Sequence, residues 1–345
     1  MSNSSSPRPL ADPNVYYGQP IIPVVVLCLL LTTTFVALRF WSRGVILRAL
    51  GIEDAFLLVA WLLGVGLDIS HLINLRYGLG RQYAALDDET RVLNLKVSFA
   101  ITLLYYSALF SVKIGVLCLY IRVLTYPYVR LAAKVMVGVV TISSAWIIAT
   151  SITACVPVDA LWDMSKRMTA RCHSGDVWWS HSGLNITTDF LISILPLTVL
   201  HKLHVPRRQK IALYLVFLLG FCVCIISLLR TLQFIRVRFI DVERDITPDG
   251  VIISVWTMLE VAIAITVACI PTLKPVISRI FPRFLASTPR GSDDTDPWSG
   301  TIEDGGRGRR YRRCGEDTID LDLSTMRCKA SDQDSTEPGS RRGRP

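Results

Sequence analysis

The chain has 345 residues, a formal net charge of +9 and 51% hydrophobic residues, with a mean hydropathy of +0.42. That is too apolar for a soluble enzyme of this length unless the apolar residues lie in long runs. They do, so the chain reads as one membrane domain with polar ends, and nucleic acid is not expected as a partner.

Residues 1–20 form a short polar tail whose one basic side chain is Arg8. An Asn3-Ser4-Ser5 sequon would accept N-glycosylation if the tail lies outside. A bilayer core of about 30 Å needs roughly 20 mostly apolar residues per helix. Seven runs satisfy this: Ile21–Trp41, Ala55–Leu75, Val97–Tyr120, Ala132–Ala154, Val177–Leu200, Ile211–Phe234 and Ile252–Leu273. Backbone groups cannot go unpaired against lipid, so each run is expected to be a helix and residues 21–283 an all-α seven-helix bundle. The first run is too long for a removable signal peptide and lacks a small-residue cleavage site, so it reads as an anchor that stays.

Arg39, Arg43 and Arg48 crowd the C-terminal flank of the first run. Lys and Arg collect on the inner side, which predicts the N-terminus outside and the C-terminus inside. The same choice puts Arg122, Arg130 and Lys134, then Lys202, Arg207, Arg208 and Lys210, in the cytoplasm, while the opposite loops hold acids such as Asp87, Asp88, Asp159 and Asp163. Residues 284–345 are rich in Gly, Ser, Asp and Arg, and this composition predicts a disordered cytoplasmic tail. Its Arg307, Arg309, Arg310, Arg312 and Arg313 suit anionic lipid or plain solvent equally.

Of nine cysteines, Cys28, Cys118, Cys222, Cys224 and Cys269 fall inside runs, where a thiol packs as a small hydrophobe. Cys155 and Cys172 bracket an outer loop, where an oxidising compartment would permit a disulfide; two unpaired thiols are the alternative.

Five ionisable residues lie at membrane depth: Asp68, Lys113, Asp189, Arg230 and Glu260. Such groups are functional candidates by default. Lys113 with Asp189, or Arg230 with Glu260, would relieve the cost of burial, but the spacing does not choose between pairs. Asn185 shares a helix face with Asp189 four residues on, and Pro196 is expected to kink or end that helix. An outward-opening cavity lined by these six residues, holding a small polar or amphipathic ligand, is the functional reading. Helix packing through buried pairs is the plainer one. Glu53 and Asp54 read as helix-start acids, and the tryptophans near run ends as interfacial anchors. There is no phosphate-binding glycine loop, His-Glu-x-x-His or Gly-x-Ser-x-Gly, so no catalytic residue and no metal site is assigned.

The ordered set Gly51-Ile-Glu-Asp54, Tyr77-Gly-Leu-Gly80, Lys113 with Leu119-Tyr-Ile-Arg122, Cys155-Val-Pro157 with Leu161-Trp-Asp163, Asn185-Ile-Thr-Thr-Asp189 to Leu195-Pro196, Lys210-Ile211, Leu219-Gly220, Arg230, and Trp256 with Glu260 before Ile270-Pro271 resembles the fungal rhodopsin-domain family. That family includes membrane proteins of the satratoxin-cluster type and is related to receptor-like proteins of appressorium signalling. The likeness covers roughly Pro20 to Arg283. It implies a seven-helix, N-out bundle in the plasma membrane, with Asp54, Lys113, Cys155, Cys172, Asp189, Arg230 and Glu260 as signature residues. The cysteine-rich extracellular module of some members is missing, since nothing before Cys28 could form it. No cofactor is expected: retinal needs a lysine within the pocket, and the seventh run has only Lys274 at its end.

Three functions follow as expectations. The first is a receptor-like protein that senses a small extracellular molecule and passes the signal to a cytoplasmic partner. The second is a membrane accessory of a fungal secondary-metabolite cluster that handles or exports an intermediate. The third is an embedded enzyme using carboxylic acids as proton donors. The lipid bilayer is the one partner common to all.

Overall fold

The computed structural model of the chain describes residues 18–81, 86–123, 127–167, 169–202, 207–239 and 246–273. Asn3 and the segment from 274 onward, including the whole C-terminal tail, lie outside the described residues. Seven long helices follow one another: α1 (Ile21–Phe40), α2 (Ile52–Arg76), α3 (Asp88–Val123), α4 (Pro127–Ile152), α5 (Gly175–Lys202), α6 (Arg207–Phe239) and α7 (Ile246–Cys269). Among the described residues, α1 to α4 and α7 are each long and apolar enough to cross a bilayer. The chain is an all-α, multi-pass membrane protein.

Three elements depart from the hydropathy reading. Helix α3 has 36 residues and starts well before Val97. At about 1.5 Å per residue it is roughly 54 Å long and overshoots the bilayer core. Its added turns start well: Thr90 N and Oγ1 both donate to the Asp87 carboxylate, and Asp88 and Glu89 suit the positive end of the helix dipole. Helix α1 does not stop at Trp41 but continues as a π-helical turn, Trp41–Ile46. Helix α5 runs on through Pro196, so of the kink or end expected there, the end does not occur. One proline removes one backbone hydrogen bond, and Ile192 and Leu195 remain packed among Ile114 and Leu117 of α3 and Val140 of α4.

Helix α3 is the centre of the bundle. Its Tyr105, Ala108, Leu109 and Val112 pack with Leu57 and Leu67 of α2 and with Val261, Ile265 and Ala268 of α7, while its other face joins α4 and α5. Helix α1 lies along α7 through Ile21, Val25 and Cys28 against Met258 and Ala262. The outer faces are apolar and exposed: Leu30 on α1, Ile142 on α4, Leu218, Phe221 and Leu228 on α6. These are the surfaces that meet lipid tails.

Between α4 and α5, strands β1 (Cys155–Val156) and β2 (Arg171–Cys172) pair antiparallel with Cys155 opposite Cys172, and the two cysteines form a disulfide. The loop they close packs on α3: the Trp162 ring meets Phe99 edge-on at 6.3 Å between centroids, and Lys96 Nζ lies 5.5 Å from the same indole. This end of the bundle is therefore roofed by the disulfide loop.

Helices α5 and α6 touch where Gly220 meets Ser193; a β-carbon at 220 would sit 2.7 Å from Ser193 Oγ. Gly220→Val is expected to push the two helices apart at a cost of about 1–3 kcal/mol, read as a lower thermal unfolding midpoint in nanodiscs, while Gly183→Val, which meets open space, leaves the midpoint near wild type.

Candidate functional site

Five of the six polar residues singled out from the sequence converge in one buried network. Lys113 projects from α3 towards α5, and its Nζ lies 2.8 Å from Asn185 Oδ1, 2.8 Å from Thr188 Oγ1 and 3.1 Å from the Asn185 carbonyl. It also pairs with Asp189 Oδ1 at 3.1 Å. The spacing of 185, 188 and 189 puts all three on one face of α5. Glu260 of α7 is 1% exposed and accepts three hydrogen bonds: from Tyr105 Oη at 2.8 Å, Asn185 Nδ2 at 3.1 Å and Ser227 Oγ at 2.6 Å. Arg230 Nε lies 3.0 Å from Glu260 Oε2, at an angle that makes it an ion contact rather than a hydrogen bond. The Arg230 guanidinium also covers the Tyr105 ring at 4.4 Å, a cation–π contact.

Ser227 joins the two halves, since its Oγ is also 3.2 Å from Asp189 Oδ2. One continuous network thus ties α3, α5, α6 and α7 together, with two cations facing two carboxylates. Asn185 is the pivot: its Oδ1 faces Lys113 and its Nδ2 faces Glu260. The sixth residue, Asp68, stands apart. It is buried on α2 near Cys28 of α1 and makes no hydrogen bond or ion pair with the other described residues.

A second charged cluster sits where α1, α2, α3 and α7 end together, and the sequence reading missed it. Arg39 Nε donates to Asp54 Oδ1 at 2.9 Å, and Arg39 Nη1 donates to the Ala268 carbonyl at 2.7 Å. Arg43 Nη1 bridges Asp54 Oδ1 at 3.1 Å and Glu53 Oε1 at 2.7 Å. Arg122 Nη1 reaches the same Glu53 oxygen at 2.6 Å. Ser42 Oγ adds a bond to the Thr272 carbonyl at 3.1 Å. Glu53 and Asp54 do stand in the first turn of α2, and Asp54 Oδ2 accepts from Gly51 N at 2.9 Å, so the capping reading is correct as far as it goes. Their burial, 4% and 2% exposed, has a further cause, since between them they hold three arginines.

The cluster also explains three local features. The wide π-helical turn after α1 keeps Arg39 and Arg43, four apart, on the side facing α2. Where α7 gives way to the 3₁₀ turn Ile270–Leu273, its last carbonyls lose helical partners; Arg39 takes that of Ala268 and Thr272 Oγ1 that of Cys269. Gly51 has to be small because a β-carbon there would collide with the Glu53 carboxylate and the Arg122 guanidinium.

Between the two charged clusters lies a cavity of about 80 Å³ walled by α3, α5, α6 and α7. Lys113 and Asp189 stand at its polar edge, and Ala264, Val267 and Ala268 of α7 line it together with Pro271 of the 3₁₀ turn that follows. These α7 positions follow Glu260, so the cavity lies on the side of the polar network away from the disulfide loop. The outward-opening cavity expected from the sequence had all six polar residues on its wall; this one has Lys113 and Asp189 alone of the six. Asn185 and Lys113 border a smaller space of about 10 Å³ beside Ser143 and Ser144, the size of a single water. Among the described residues no group of three His, Cys, Asp or Glu is placed to hold a metal ion.

Glu260→Gln leaves the Arg230 charge facing a neutral amide, and removing one partner of a buried pair costs about 3 kcal/mol or more. The expected outcome is a marked fall in unfolding midpoint for Glu260→Gln and partial recovery in Glu260→Gln/Arg230→Gln. Strictly additive losses would show that the two side chains do not interact.

The stretch 38–279 matches the fungal rhodopsin domain, and it contains both charged clusters and the cavity. The chain is 26% identical over 314 residues to the protein named Receptor GIN3 of Arthrobotrys oligospora, covering 89% of this chain and 74% of that one. It is also 26% identical over 286 residues to the polyenoic acids biosynthesis gene cluster protein Ba17b of Metarhizium anisopliae, covering 77% of this chain and 76% of the relative. No solved structure matches the chain significantly. The matched domain takes in more than half of the chain and all of its charged interior, and the chain belongs to the fungal rhodopsin domain family.

Proposed function

We propose that the chain is a receptor-like protein of the plasma membrane, in which a small molecule occupies the cavity beside Lys113 and Asp189 and α7 carries its presence to the cytoplasmic end. One observation supports this reading above the rest: Ala268 lines the cavity, and its carbonyl is held by Arg39 of the charge cluster. A molecule that displaces α7 at Ala268 and Pro271 strains the Arg39 bond. That strain passes to Asp54, Arg43, Glu53 and finally Arg122, whose side chain is 42% exposed. The name of the first relative, a receptor, agrees with this reading.

The orientation fits as well. Disulfides persist in oxidising compartments, and the Cys155–Cys172 bond supports an orientation with its loop and the N-terminus outside and the Arg122 end in the cytoplasm, where a signalling partner would meet it. The second reading is a membrane accessory of a secondary-metabolite cluster that handles or exports an intermediate, and it is favoured by the second relative, named for a polyenoic acid cluster.

A deletion strain separates the two. It is complemented with wild type or with Arg39→Gln, and an epitope tag verifies equal surface levels. Sensing predicts a transcriptional response to external extracts that vanishes on deletion, returns with wild type and stays absent with Arg39→Gln, while the strain's own metabolites are unchanged. Loss or accumulation of one defined metabolite, with the response to extracts intact, replaces sensing by the accessory role.

A further inference from the structure

Building on the cavity reading above, we propose that the ligand is an uncharged hydrophobic alcohol, held by donating its hydroxyl proton to the Asp189 carboxylate. The walls set the body of the ligand. Of the described residues lining the cavity, only Lys113, Tyr120, Asp189 and Ser193 carry polar side-chain atoms; the others are aliphatic, glycine or proline. A space of about 80 Å³ is several times the roughly 10–15 Å³ that one water needs. It suits a ring or the end of a chain.

Charge sets the second condition. Lys113 and Arg230 already face Asp189 and Glu260, so the network is balanced without a ligand. An anion or a cation entering from the bilayer would bring an unpaired charge into a low-dielectric interior, which is costly. A neutral ligand keeps the balance.

The hydrogen-bond inventory sets the third. The Lys113 ammonium has three N–H groups and four acceptors within 3.1 Å, so it has none to offer. Ser193 Oγ spends its proton on the Asp189 carbonyl at 2.8 Å. Ser227 has a single proton for two carboxylates and stands closer to Glu260, 2.6 Å against 3.2 Å to Asp189 Oδ2. Asp189 Oδ2 is thereby left short of a donor. Asp189 and Ser193 line the cavity, and their atoms with capacity to spare, Asp189 Oδ2 and a lone pair of Ser193 Oγ left beside the Cys224 thiol at 3.6 Å, are both acceptors. The Tyr120 hydroxyl both donates and accepts, so it does not discriminate. A ketone, ester or ether brings no donor, and an amine brings one only with a charge at neutral pH. A hydroxyl brings a donor without a charge.

The test uses the full chain in nanodiscs near neutral pH with two photoreactive probes, a diazirine-bearing octanol and a diazirine-bearing octanoate, and adducts mapped by mass spectrometry. The octanol probe is expected to label the wall around Ser193, Val223 and Val267. Val223→Phe, which fills the cavity, is expected to abolish this labelling. At equal bilayer-bound concentration, octan-1-ol is expected to compete at least about tenfold better than octanoate or octylammonium, a difference of about 1.4 kcal/mol. Asp189→Asn leaves Lys113 positive and unbalanced, so in that variant the ranking should turn towards octanoate. Where that variant does not fold, the wild-type ranking and Val223→Phe still decide. Wall labelling by the octanoate probe alone, or octanoate or octylammonium competing as well as octanol, overturns the alcohol assignment and leaves the cavity reading standing. Absence of wall labelling by both probes, or labelling indifferent to Val223→Phe, overturns both.

Discussion

A charge in the hydrocarbon region has to meet its opposite or a ring of hydrogen bonds, because no water is there to solvate it. The interior of this bundle is organised by that demand. Lys113, Asp189, Arg230 and Glu260 come from four different helices, and none of them is tolerable alone. Helices α3, α5, α6 and α7 therefore have one mutual register in which each of the four meets an opposite charge, with Asn185 and Ser227 as the neutral links. Apolar packing in a membrane distinguishes poorly between registers, since lipid tails are as apolar as leucine. The polar network supplies the discrimination.

The same demand operates at the other end of the cavity. Three arginines and two carboxylates close the ends of α1, α2 and α3, and one of the arginines serves as the missing cap of α7. The two clusters differ in exposure. The central one is sealed, whereas Arg122 opens to the surface. A sealed cluster suits a fixed frame, and a cluster with one exposed member suits a contact that can be exchanged. The cavity lies between them, bounded on one side by the frame and on the other by the exchangeable end.

Much of this was legible in the sequence, for physical reasons that also explain what was not. The helices were readable because twenty apolar residues in a row have few other fates. The two central pairs were readable as alternatives, since buried charges need partners. Arg39, Arg43, Arg122, Glu53 and Asp54 were seen but assigned to topology and capping. Those are real roles for such residues, and the 69 positions between Arg122 and Glu53 conceal that they meet. Ser227 gave no signal, because a serine hydroxyl in a membrane helix ordinarily bonds its own backbone, and Tyr105 reads as one more aromatic in an apolar run. The cavity of about 80 Å³ gave no signal of its own, because most of its wall is Leu, Val, Ala and other apolar residues, whose fit depends on helix register rather than residue type. Asp68 satisfied the same sequence criterion as Lys113, Asp189, Arg230 and Glu260 and yet joins no network among the described residues, so depth alone does not make a site.

The claim at the centre of this account is that paired charges, rather than apolar contact alone, hold the four helices in register. A double-mutant cycle on Lys113→Met and Asp189→Leu, read from unfolding midpoints in nanodiscs, addresses it directly. The account predicts that each single variant is severely destabilised and the double variant is restored most of the way, with a coupling of about 2 kcal/mol or more. Additive losses, with a coupling near zero, would contradict it.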